Sequence, residues 1–113
     1  MAQPHAQSGQ VVSVLPLGER LRDSRTGALL KARQLEVVRI VLLAGKALKE
    51  HKAPGEITVQ CLEGRIEFST PQARHLMGPG DFIHLRSEEP HALLAVTDAS
   101  LLVTLCLPAM GDG

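Results

Sequence analysis

The sequence predicts an all-β domain built as two packed sheets or a squat barrel. Three observations carry this. Short runs rich in Val, Ile, Leu and Thr recur from Ala28 onward, separated by Gly, Pro or charged clusters. Polar and apolar residues alternate through Arg65-Ile66-Glu67-Phe68-Ser69, the period of a half-buried strand. No long helical pattern appears anywhere.

Taken in order, residues 1–10 (MAQPHAQSGQ) are small, polar and without period, and read as a flexible N-terminal tail ahead of a single domain over 11–113. Val11–Leu15 is a short apolar segment stopped by Pro16, read as an N-terminal strand. Leu17–Ser24 has room for one or two helical turns before the turn at Arg25-Thr26-Gly27. Strands are then predicted over Ala28–Arg33, Leu35–Leu43, Ala47–His51, Ile57–Leu62, Arg65–Ser69, Ala73–Met77, Asp81–Leu85, His91–Thr97 and Ser100–Leu107. The wholly apolar Ile40–Ala44 suits a strand covered on both faces. Gly64, between Glu63 and Arg65, suits a hairpin turn needing positive φ, and Pro79-Gly80-Asp81 is a strong turn signal. So many short strands in one domain favour an architecture that shields its sheet edges.

Composition removes several functions. Twelve basic and twelve acidic side chains balance across 113 residues, so net charge recruits neither nucleic acid nor an anionic membrane. There is no Trp or Tyr and only Phe68 and Phe82, which leaves no platform for stacking bases. The apolar runs are too short to span a bilayer, and no secretory leader pattern is evident, so the cytoplasm is the expected compartment. Cys61 and Cys106 both lie in apolar runs and read as core residues rather than disulfide halves.

Two Gly-to-His phrases carry the chemistry. The first runs from Gly45 through His51 to Gly64, and the second from Gly80 to His91. Together they resemble the paired motifs of small single-domain cupins, G-x5-H-x-H-x3,4-E-x6-G and G-x5-P-x-G-x2-H-x3-N. Gly45, His51 and Gly64 match the first by position, while Ala53 stands at its second His and Ile57 at its Glu. Gly80 and His91 match the second, with Arg86, Glu88 and Ala95 in place of its Pro, Gly and Asn. The resemblance spans roughly Leu35 to Leu107 and implies a double-stranded β-helix, or jelly-roll, barrel.

It also implies a metal pocket inside the barrel mouth, with His51 and His91 as the matching ligands for Fe, Mn, Ni or Zn. Two imidazoles hold such a metal loosely unless water or substrate completes the shell. Glu56 reaches the mouth only if Pro54-Gly55 bulges the chain, because a one-residue slip on a regular strand reverses its face. Cys61, four residues past the Glu position, lies about 13 Å further along the strand. His84 falls mid-strand, and His75, beside a turn, reads as surface; Arg86 belongs to the solvated rim. Ile57 and Val59, with Ile83 and Leu85, predict a greasy interior suited to a small, largely apolar ligand. Ile57, Val59, Glu56 and His84 are thus the candidate ligand-binding residues beside the metal pair His51 and His91.

Two functions follow from the resemblance: a weakly metal-binding small-molecule cupin, or a metal-free ligand-sensing or interaction module. For the first, oxygenase or isomerase chemistry is the class to test, and no catalytic residue is assigned. The resemblance further implies a homodimer.

Overall fold

The computed structural model describes residues 5–108. Residues 1–4 of the expected tail and 109–113 of the expected domain lie outside them. A 3-10 helix, Gly18–Asp23, precedes nine strands: β1 Gly27–Lys31, β2 Leu35–Leu42, β3 Ala47–His51, β4 Ile57–Glu63, β5 Ile66–Ser69, β6 Arg74–Met77, β7 Phe82–Leu85, β8 His91–Ala95 and β9 Ala99–Cys106. Every strand expected from Ala28 onward is present, with ends shifted by a few residues.

The strands form two antiparallel sheets, a larger one in the order β1-β2-β9-β4-β7 and a smaller one in the order β3-β8-β5-β6. The two face each other as the jelly-roll sandwich that the pattern predicts. Period-2 alternation fills the space between them. From the larger sheet Ile57, Val59, Cys61, Leu85, Ala99, Leu101 and Val103 point inward, and from the smaller sheet Ile66, Phe68, Met77, Leu93 and Ala95. Phe68, Ile66, Leu101 and Cys61 are wholly buried, so the core sits between β4/β9 and β5/β8. Burial pushes the Cys61 thiol pKa up, which makes it an inert core residue.

Val11–Leu15 is not a strand. Val11 and Leu15 are exposed, and the segment is held by Arg39 of β2, whose guanidinium donates to the carbonyls of Leu15 (2.9 Å) and Ser13 (3.4 Å). This apolar segment joins no ladder, and the backbone groups of Ser13 and Leu15 are met by side chains instead. The next residues are tied down by Glu63, whose carboxylate accepts from the amides of Leu17 (2.9 Å) and Gly18 (3.0 Å) and from the Ser100 hydroxyl. Burial opposes the charge on Glu63, yet these hydrogen bonds and nearby Arg39 together hold its pKa below 4.5. Ahead of this, the Ala6 amide donates to the Leu29 carbonyl at 2.8 Å, at the point where the β1–β2 register shifts. No helix among the described residues is long and apolar enough to cross a membrane.

Candidate functional site

His51 ends β3 and His91 begins β8, and the two are cross-strand partners. A regular β3 would not bring them face to face. Leu48 pairs with Leu93 and His51 with His91, so three steps on β3 match two on β8. That extra residue is a bulge, and it puts His51 on the same face as Leu48 and Leu93, at an exposed position on the rim beside buried His91. The imidazole centroids then lie 4.3 Å apart with planes tilted by 58°. The His91 ring is also stacked parallel on Phe68, centroids 5.7 Å apart.

Each ring is oriented by a carbonyl two residues upstream. Nδ1 of His51 lies 2.8 Å from the Lys49 oxygen and Nδ1 of His91 lies 3.0 Å from the Glu89 oxygen. A carbonyl only accepts, so both Nδ1 atoms carry the proton and donate. This tautomer leaves the Nε2 lone pair of each neutral ring free, the arrangement in which histidine binds a metal or takes up a proton. His91 is buried, and desolvation lowers its pKa below 6.5; the Glu89 carbonyl opposes this and His51 reinforces it. Burial thus favours the uncharged form of His91.

The donor set stops at two. Among the described residues no group of three His, Cys, Asp or Glu side chains is placed to hold a metal ion. Ala53 packs against the core, and Ile57 is buried within it. The pair thus fits a metal held at two positions with the rest of its shell supplied by water or a ligand, and does not fit a closed structural site.

The second motif shows its departure in the backbone. Glu88, at the motif's glycine position, has φ +65°, and it is the one non-glycine residue with positive φ among the described residues. Its amide donates to the Ala53 carbonyl at 2.8 Å, and its carboxylate pairs with Lys52 at 3.5 Å. The loop before His91 is thereby pinned to the loop after His51.

The other candidates fall elsewhere. Glu56 and His84 do meet, Nε2 to Oε1 at 2.6 Å, but on the outer face of the larger sheet. His84 pairs with Thr58, whose neighbours Ile57 and Val59 point inward. Ile57 and Val59 are core residues, 5% and 2% exposed.

An open groove of about 430 Å³ lies between the two free edge strands β6 and β7, walled by Gln72 and His75 on one side and Ile83, Leu85, Arg86 and Glu89 on the other, and the candidate His84 lines it too. His75 is its unforeseen member. Thr70 and Ala73 close the β5–β6 hairpin by mutual backbone bonds, which pairs Phe68 with His75 and puts the imidazole on the inward face. The signal was present in the sequence, since counting outward from a two-residue Pro71-Gln72 turn gives this register. Glu89 joins groove to histidine pair: its carbonyl orients His91, and its carboxylate accepts from Arg86 Nε at 2.9 Å.

Comparison with known proteins agrees with this fold. The model of the cupin domain family matches residues 38–107. Among solved structures, an RmlC-like cupin from Desulfovibrio desulfuricans is 26% identical, with 86% of this chain and 96% of that one covered and a TM-score of 0.73. A conserved protein of unknown function from Streptococcus pyogenes superposes with a TM-score of 0.75 at 24% identity, covering 96% of this chain and 99% of the other. A cupin superfamily protein from Desulfitobacterium hafniense gives 0.76 at 14% identity, again over 96% and 99%. No curated protein matches the chain.

Proposed function

Because the chain belongs to the cupin family, we propose that it is a small-molecule-binding cupin whose His51–His91 pair takes up a divalent metal weakly. The observation that carries this reading is the shared tautomer: both rings spend Nδ1–H on a backbone carbonyl and keep Nε2 free. A bound Fe, Mn, Ni or Zn would supply Lewis-acid or redox chemistry with open positions for a ligand. The protein's own part is to fix the two rings, favour neutral His91 by burial, and back the pair with the apolar face of Phe68.

The second reading is a metal-free cupin that senses or binds a ligand. Ala53 and Ile57 favour it, since they fill two of the four ligand positions with hydrocarbon. The two readings part on metal content. Equilibrium dialysis against Fe, Mn, Ni or Zn should show metal taken up by the wild type above the dialysate level and none by His51→Ala or His91→Ala. Metal at background in the wild type refutes the first reading.

Two further properties belong to this proposal. A homodimer is supported by apolar side chains left bare: Val11 at 98%, Leu15 at 74% and Phe82 at 61% exposure. Light scattering on the purified chain tests it. A cytoplasmic location is supported by two free cysteines, buried Cys61 and Cys106, which is exposed at the end of β9 rather than in the core as expected, since free thiols suit a reducing compartment.

A further inference from the structure

We propose that the groove between β6 and β7 binds a small monocarboxylic acid with a short apolar body. This deepens the small-molecule reading above and rests on it. The volume, about 430 Å³, falls at the small end of ligand pockets. Neither β6 nor β7 has a second neighbouring strand, so the groove is open along its length to an incoming molecule.

Its walls divide by chemistry. Ile83 and Leu85 present hydrocarbon from β7. Arg86, immediately after them, is 77% exposed at its side chain and uses only Nε, toward Glu89. The two terminal nitrogens of its guanidinium make no hydrogen bond among the described residues. A planar pair of N–H donors without acceptors, at the end of an apolar wall, matches a carboxylate in two parallel hydrogen bonds. His75 and Gln72, on the opposite lip, add donors to the same space. The charge balance limits the ligand to a monoanion. Arg86 is the sole permanent cation of the lining and already faces Glu89, and His84 in the same lining is engaged by the Glu56 carboxylate, so a phosphate dianion would find too little positive charge. Through Glu89, whose carbonyl holds His91, the carboxylate end would sit beside the loop that positions the histidine pair.

The test uses the full chain, with hexanoate as the probe, hexanamide as its neutral counterpart and inorganic phosphate as a competitor. Binding is followed by NMR at Arg86 Nε–H, the His75 ring and the Ile83 methyls. Hexanoate should shift all three and bind at least tenfold more tightly than hexanamide. Arg86→Gln should erase that preference. Glu89→Gln, which removes the competing carboxylate, should tighten hexanoate severalfold and leave hexanamide unchanged, a change that a purely structural role for Glu89 would not produce. Equal binding of the two probes, absence of binding by either, a preference that survives Arg86→Gln, or displacement by equimolar phosphate overturns the proposal. Metal uptake by His51 and His91 is measured separately, so loss of one reading leaves the other standing.

Discussion

Replacing Glu88 by glycine should stabilise this protein relative to replacing it by alanine, although both remove the same side chain. Glu88 holds φ at +65°, a conformation that costs an L-residue roughly 1–2 kcal/mol and glycine nothing. Glycine loosens the unfolded chain, which returns about 0.4–1 kcal/mol. The ion pair with Lys52 spans 3.5 Å between side chains 61% and 58% exposed, and both variants lose it equally. Such pairs contribute about 0–1 kcal/mol, and Lys52→Ala measures this one. The backbone bond to Ala53 survives in both. The net difference is therefore about 0–1.6 kcal/mol in favour of glycine, or up to roughly 8 °C in Tm at this domain size. Thermal unfolding of the two variants side by side reads it. If Glu88→Ala proved more stable than Glu88→Gly, the strain assigned to this position would not exist.

Other consequences can be measured as directly. His91 has a folded pKa below its ordinary 6.5, so the unfolded chain binds more protons in the window between the two values. Stability should rise with pH through that window and level off above about pH 6.5, and His91→Phe should flatten the slope in urea titrations. Glu63→Gln should cost about 1–3 kcal/mol through its lost charge-assisted bonds and speed amide exchange at Leu17 and Gly18, while Glu67→Gln should leave both amides protected. Gly64 and Gly45 both have positive φ, yet a Cβ on Gly64 would strike the Asp98 carbonyl and lie 2.7 Å from the Ala99 Cα, whereas one on Gly45 meets nothing within 4 Å. Gly45→Ala should thus cost about 1–2 kcal/mol, and Gly64→Ala enough to lower soluble yield sharply.

The strands were legible because burial imposes a period of two that local sequence displays, as in Arg65–Ser69. The histidine pair was legible by spacing, and it does meet. What stayed hidden depends on register between distant segments. Nothing local marks Lys49-Glu50 as the bulge that puts His51 on the face of Leu48 and Leu93, since the extra residue exists only relative to β8. The Glu56–His84 pair likewise required knowing that β4 and β7 are neighbours and which of their faces is outside. Val11–Leu15 has strand composition but meets Arg39 side-chain donors instead of a strand edge. The free fork of Arg86 was unreadable because its partner among the described residues, Glu89, engages Nε and leaves both terminal nitrogens unused.

The β3 bulge makes the aim of His51 a matter of odd and even. Substitutions along Lys49-Glu50 preserve the number of residues and so preserve the aim, whatever side chains they install. Deleting one of the two changes the count. The imidazole would swing to the opposite face and His91 would keep its place on Phe68 alone. A scan that only exchanges side chains would report this stretch as tolerant, while a single codon removed from it would take the site apart.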